Sequence, residues 1–166
     1  MSDIQFSTDG GMFNVRVAGI CVKENKIILS KMESDDFWVF IGGKVRFGES
    51  TDEAILREYR EETGAQLHVD RLLSVTENFF SYMDRPWHQY LFYYLLRDDD
   101  ESLKLFDGER EISDHHDIKY RWFDLSELDN VVIKPDCSAE IVRNMSNDIR
   151  HLINRDECRE RSNNAT

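Results

Sequence analysis

The chain is 166 residues long and has only two prolines and three cysteines. Cys21, Cys137 and Cys158 are odd in number, far apart and without a CxxC pair. Neither a disulfide framework nor a zinc site is therefore indicated, and reduced thiols are expected. No apolar run approaches the roughly 20 residues that a membrane-spanning helix needs. The opening MSDIQFSTDGGMF lacks the basic-then-apolar layout of a secretory signal, so a cytoplasmic protein is the expectation. Positive charge is scarce too: 21 Lys and Arg stand against 33 Asp and Glu, a formal net charge of −12. Such a balance repels long nucleic-acid backbones unless basic side chains are gathered locally, and the sequence shows no such patch. A small nucleotide neutralised by a metal is a more compatible ligand.

No Pro-rich or Gly/Ser-rich linker divides the chain, and its length suits one domain with a sizeable core. The expected domain runs over 1–154, with 155–166 as a fraying tail. Oligomeric state stays open, a homodimer included. No repeat or low-complexity segment is present.

What is present is GKVRFGESTDEAILREYREETGA, from Gly43 to Ala65. Gly43 and Gly48 bracket a tight loop that can expose backbone groups to an ion, and Glu49 follows. Ser50 with Glu53 reads as a capping box, Ala54, Ile55, Leu56 and Tyr59 give an apolar side, and Gly64 suits a left-handed stop. At about 100° per residue, Glu58, Glu61 and Glu62 share one face of this helix. Like charges at that spacing oppose helix formation by a few tenths of a kcal/mol per pair. A hard divalent cation such as magnesium explains their clustering, since it takes a few carboxylates and leaves positions for water and phosphate. Without metal, mutual repulsion is expected to raise the carboxyl pKa values, and metal binding to release protons.

The stretch resembles the Nudix box: Gly43, Glu49, Arg57, Glu58, Glu61, Glu62 and Gly64 fill all seven fixed positions. By average residue usage, such a match in a chain this long is expected well under about once in ten thousand. The resemblance extends outward, to Trp38–Gly43 as the strand delivering the glycine pair and to Trp122–Leu125 with Glu127-Leu128 as the late strand and turn. Three departures bear on loop geometry and packing: Ile41 where many members have proline, and Tyr59 and Ala65 at the two apolar positions.

The resemblance implies a magnesium- or manganese-dependent hydrolase of nucleoside diphosphates linked to another moiety, such as nucleoside triphosphates, ADP-ribose or nucleotide sugars. It also implies an α/β/α sandwich with a mixed sheet between helices. Glu58, Glu61 and Glu62 are then the metal residues, Glu58 being either a ligand or the base. Arg57 orients a neighbouring carboxylate and Glu49 braces the loop or the metal shell. A further acid from a late loop often completes the shell, and Asp117, Glu111 and Asp114 are the candidates in that order. The alternative is a Nudix domain that senses a nucleotide with little turnover.

Substrate contacts are less legible. Lys44 and Arg46, then Arg16 and Arg85, are candidate phosphate cations, with ordinary solvated side chains as the plain alternative. Phe80 and Trp87, within an aromatic group that includes Phe79, Tyr82 and His88, are candidates for stacking on a base, and core packing explains them as well. His115 and His116 are adjacent, so they point apart on a strand and do not suggest a metal pair.

Along the rest of the chain the first dozen residues read as a loose arm. Phe13–Val22 alternates, turns at Lys23–Lys26 and returns through Ile27-Ile28-Leu29 as a hairpin. Short strands are expected at Phe37–Ile41 and Lys119–Phe123. Longer ones are expected at Leu67–Phe80 and Trp87–Leu96, separated by Met83-Asp84-Arg85-Pro86. Arg97–Glu101 reads as an exposed turn and Asp107–Asp117 as a loop. Ile141, Met145, Ile149 and Leu152 repeat at helical spacing, predicting a C-terminal helix laid on the sheet.

Overall fold

The computed structural model describes residues 2–112 and 117–156. Asp114, His115, His116 and Cys158 lie outside the described residues, as does 157–166, most of the expected tail. The described residues form one mixed sheet of nine strands carrying a helix on each face, which is the expected sandwich.

The chain begins with β1 (Gln5–Thr8) and the long β2 (Gly11–Lys23), which pair antiparallel. The first dozen residues are thus not a loose arm. Phe6 stacks on Phe13 at 6.3 Å, and the Ile4 amide donates to the Val45 carbonyl at 2.8 Å, so backbone pairing and apolar contact fix this segment. β3 (Lys26–Met32) follows through a two-residue turn in which Glu24 and Asn25 have φ of 48° and 62°. Both values lie in the left-handed region that tight hairpins require. β4 (Val39–Phe40) and β5 (Gly42–Lys44) lead to α1 (Thr51–Thr63). β6 (His68–Tyr82) and β7 (Arg85–Arg97) make the second hairpin, turning at Met83 and Asp84, and β8 (Ile118–Asp124) lies against β3. Leu125–Asn130 is a 3-10 turn, α2 spans Ser138–Arg143, and β9 spans Arg150–Arg155.

The expected C-terminal helix is therefore corrected. α2 stops at Arg143, and β9 adds to β6 in parallel. Four apolar residues at 3- and 4-residue intervals do not separate a helix from a short helix followed by a strand. Packing decides: Ile141 is buried in α2 while Ile149 is 62% exposed, so the predicted stripe does not continue as a buried helical face. Ser146-Asn147-Asp148 supplies side chains that compete with helical backbone bonding. Arg155 is the last residue of β9, with its guanidinium over the Phe79 ring at 4.1 Å.

The core has two halves. Ala54, Ile55 and Tyr59 of α1 pack against Val17, Cys21, Ile28, Tyr120 and Trp122 on one sheet face. Ile141 and Val142 of α2 pack against Ala18, Ile20, Ile27, Tyr93 and Phe123 on the other. Alternation along β2 sends successive residues to opposite halves, which anchors the box helix and leaves its carboxylate side uncovered by this core. Among the described residues no helix is long and apolar enough to cross a membrane.

Candidate active site

β5 delivers Gly42, Gly43 and Lys44 along the edge of β2, pairing Ala18 with Gly42 and Arg16 with Lys44. The loop from Val45 to Ser50 then turns into α1, whose start is fixed by Glu53 accepting from the Ser50 amide at 2.9 Å. Asp52 and Glu53 in the first turn suit the positive end of the helix dipole. Gly64 closes the helix with φ 73° and its amide N–H donates to the Arg60 carbonyl at 3.0 Å, a left-handed stop that glycine adopts without Cβ strain.

Arg57, nearly two turns inside the helix, organises the loop. Its Nε and Nη2 donate to the two Glu49 oxygens at 2.6 and 2.9 Å. Nη1 donates to Glu58 at 2.6 Å and to Glu61 at 3.2 Å, and Nη2 also reaches the Lys44 carbonyl at 3.0 Å. The Arg57 and Glu49 side chains are 10% and 12% exposed. A fork-to-fork pair at such burial is stronger and more directional than a surface ion pair. It also raises the Arg57 pKa and lowers that of Glu49. Glu49 further accepts from the Arg46 amide at 3.0 Å, so it braces the loop at both ends.

Glu58 rests on Gly43: a Cβ there would overlap its carboxyl group. Any other residue at 43 would displace the carboxylate or the β5 edge. Glu62 turns the other way and accepts from the Tyr120 hydroxyl of β8 at 2.8 Å. Its pKa is pushed up to about 7, first by burial and then by the Glu58 and Glu61 charges, while the Tyr120 bond and Arg16 oppose the rise. The expected carboxylate repulsion is therefore present at Glu62, but desolvation outweighs it.

The donor chemistry of Glu58, Glu61 and Glu62 fits a hard divalent cation, since all three offer oxygens on one helix beside the glycine pair. Among the described residues, however, no three acidic, histidine or cysteine side chains converge into a ready cage. Arg57 holds Glu58 and Glu61, and Tyr120 holds Glu62. Loading a cation requires the half-exposed Glu61 to leave Arg57.

The remaining candidates separate. Lys44 pairs with Asp3 at 3.4 Å and Arg46 with Glu61 at 3.5 Å. Arg16 is half-buried beside Gly42, its Nη2 3.5 Å from the Gly42 carbonyl. Burial lowers its pKa against the opposing pull of Glu58 and Glu62. Arg85 bonds Ser7 at 2.9 Å, away from the box. Phe80 and Trp87 stack on each other at 5.8 Å near the β6–β7 hairpin turn, and among the described residues no hydrogen bond or ring contact joins them to the box residues. Asp117 is exposed, and its carbonyl accepts from the Glu33 amide at 2.8 Å. Glu111 accepts from Lys119 at 2.5 Å. Their loop is nevertheless rooted beside the site, because Arg110 exchanges backbone bonds with Tyr120, the partner of Glu62.

Two residues escaped the sequence reading. Tyr120 falls in the expected Lys119–Phe123 strand, but nothing along the chain indicates that β8 faces the end of α1. Asp3 lay in a segment read as an arm.

The NUDIX domain family model matches residues 12–145. An uncharacterised Nudix hydrolase, YvcI, of Bacillus subtilis is 26% identical over 112 residues, covering 68% of this chain and 66% of the relative. An ADP-ribose pyrophosphatase of Methanocaldococcus jannaschii is 44% identical over 64 residues, covering 37% of this chain and 38% of that protein. The chain thus spans less than two thirds of either relative. A crystal structure of a NUDIX hydrolase from Nitrosomonas europaea shares the fold, with a TM-score of 0.59 at 19% identity over 86% of this chain and 79% of that one.

Proposed function

This chain belongs to the Nudix family, and from that premise we propose that it hydrolyses a pyrophosphate linkage in a small nucleotide-type compound. The observation that carries the reading is the Arg57 clasp, which ties Glu49, Glu58, Glu61 and the Lys44 carbonyl into one assembly at the loop-to-helix junction. A solvated run of glutamates has no need of a buried guanidinium at its centre.

Glu58, Glu61 and Glu62 would hold magnesium, or manganese in its place. When bound, the ion supplies charge neutralisation for the phosphates and a more acidic water. Arg57 keeps Glu58 against Gly43, so one carboxylate stays near the β5 edge, where a scissile phosphate can lie. Glu49 fixes the loop amides around that position. Glu62, with its pKa near neutrality and Tyr120 as donor, can exchange a proton in the working pH range. Glu58 or Glu61 accepts the proton as water oxygen bonds to phosphorus and the bridging P–O bond breaks. The products are a nucleoside monophosphate and a second phosphorylated compound.

ADP-ribose is the first compound to test, because the relative 44% identical over the matched segment carries that activity in its name. The experiment is a phosphate-release screen over ADP-ribose, nucleoside triphosphates, nucleotide sugars and a capped RNA with magnesium. Turnover of one class supports the reading, whereas tight binding without turnover supports the sensor alternative. The same assay on Asp117→Asn, Glu111→Gln and Asp114→Asn tests the late loop for a completing acid.

A further inference from the structure

The sheet ends in β9, which pairs with β6 along one side, and among the described residues no strand lies along its other side. This edge strand is firmly seated. A row of buried amides ties it down: Asn154 Nδ2 donates to Asn78 of β6 at 2.8 Å, Asn78 Nδ2 to Gln89 of β7 at 3.3 Å, and Gln89 Nε2 to Asn14 of β2 at 3.1 Å. Arg150 pairs with Glu140 of α2, and Arg155 lies over the Phe79 ring. β9 falls beyond residues 12–145, the part that the family model matches, so its free edge belongs to this chain rather than to the shared domain.

An edge strand offers unpaired N–H and C=O groups to any chain that can lie beside it, and folds commonly guard such edges with a proline or a bulge. From Asp148 to Asp156 there is no proline, and the β6–β9 register runs without a shift. Ile149 and Ile153, with His151 between them on the same face, are 62% and 58% exposed. A chain of net charge −12 repels its own copies over most of its surface. Here two arginines balance two aspartates, so that repulsion is locally absent.

The charges also select one way for a second copy to pair. In an antiparallel pair about a two-fold axis normal to the sheet, every residue keeps its face, so the register must be centred on a residue. Centring on Arg150 sets that arginine against itself. Centring on Leu152 opposes Asp148 to the partner's Asp156 twice over, and centring on Ile153 opposes His151 to the partner's Arg155. Centring on His151 instead places Asp148 against the partner's Asn154 and Arg155 against the partner's Asn147. It also sets Ile149 against the partner's Ile153 on both sides of the axis, so the four exposed isoleucines cover one another. At the axis His151 meets its own copy, each ring nitrogen 2.8 Å from the carboxylate of its own Glu77.

We propose that β9 is a self-pairing edge through which two copies of this chain join their sheets, antiparallel and in register about His151. Two short strands make a small interface, so the dimer is weak and concentration-dependent, with a Kd of roughly 10 µM. The contact uses no residue of the box, so it stands or falls without the hydrolase reading.

Sedimentation velocity over concentrations from about 1 to about 200 µM, spanning that Kd, tests the pairing. Wild type should pass from monomer to dimer across this range. Ile149→Lys and Ile153→Lys, both at exposed positions, should each stay monomeric throughout. Register is read by oxidation with copper phenanthroline in a Cys137→Ser, Cys158→Ser background. Opposed residues of an antiparallel pair have Cα atoms about 4.5–5.5 Å apart, within disulfide reach, so His151→Cys should link to its own copy. A double variant, Ile149→Cys with Ile153→Cys, should link as well while keeping His151 beside Glu77, whereas Ile149→Cys alone should not. A wild type that remains monomeric at about 200 µM would overturn the proposal. So would a dimer that survives both lysine substitutions, or one that links through Ile149→Cys alone as readily as through His151→Cys.

Discussion

Tyr59 and Gly19 are fitted to each other across the interface of α1 and β2. The Tyr59 hydroxyl donates to the Gly19 carbonyl at 3.0 Å, and a Cβ on Gly19 would lie 2.5 Å from Tyr59 Cε2. Tyr59 is fully buried, so the ring takes the volume a strand side chain would fill, and its hydroxyl is satisfied in the core. The tyrosine departure from the usual apolar choice in the box is thus absorbed by a glycine on the facing strand.

Gly19→Ala should therefore overpack this contact, costing about 1–3 kcal/mol. Tyr59→Phe leaves the Gly19 carbonyl without that donor and should cost about 1 kcal/mol. Urea midpoints of the two variants check both values, and a Gly19→Ala protein as stable as wild type would show that α1 can move away freely.

Arg57→Lys tests the clasp. A lysine cannot reach both Glu49 oxygens, Glu58, Glu61 and the Lys44 carbonyl, so the loop loses its brace and Glu58 its position. A buried pair broken in this way costs about 3–5 kcal/mol, against at most about 1 kcal/mol for an exposed one. The variant should fall in kcat/KM by at least about a hundredfold while KM changes less. Steady-state kinetics beside thermal denaturation distinguish this from a general loss of fold.

Glu62 gives the stability a pH signature. Its folded pKa of about 7 lies above the ordinary 4.5, so the native state keeps a proton that the unfolded chain gives up. The associated stability is present in full below about 4.5 and is lost as pH rises toward about 7. Glu62→Gln should flatten that window in a plot of urea midpoint against pH. Tyr120→Phe removes the bond that favours the charged form, so the acid limb of kcat/KM should move up by about half a pH unit to one unit.

How much of this could be read along the chain depends on range. The Arg57 cluster was legible because its members lie close in sequence, from Lys44 to Glu61, and helical spacing fixes which of its glutamates share a face. The two hairpins were legible because Glu24-Asn25 and Met83-Asp84 sit between alternating runs. Tyr120, Asp3 and the amide row were not, since each acquires its partner through strand pairing between segments far apart in sequence. Asn14, Asn78, Gln89 and Asn154 look like ordinary polar residues until register aligns them. The C-terminal segment misled for the converse reason: its apolar spacing was compatible with two structures, and burial chose between them.

Metal dependence is the sharpest remaining prediction, because in this structure the candidate ligands are engaged elsewhere. Glu58 and Glu61 face Arg57, and Glu62 faces Tyr120. Loading a divalent cation must ionise Glu62 and draw Glu61 from the guanidinium, so binding should release protons below about pH 7 and weaken as pH falls. Chelator should abolish hydrolysis, and magnesium or manganese should restore it. Glu61→Gln and Glu62→Gln keep side-chain size but remove a ligand charge. Each should lower kcat by about a thousandfold, equivalent to roughly 4 kcal/mol of transition-state stabilisation. The two differ in the second readout: proton release on magnesium binding, followed in weak buffer near pH 6.5, should vanish in Glu62→Gln and persist in Glu61→Gln. Turnover near the wild-type level in both variants, or full activity in excess chelator, would reduce the glutamate cluster to a solvated face that Arg57 happens to brace.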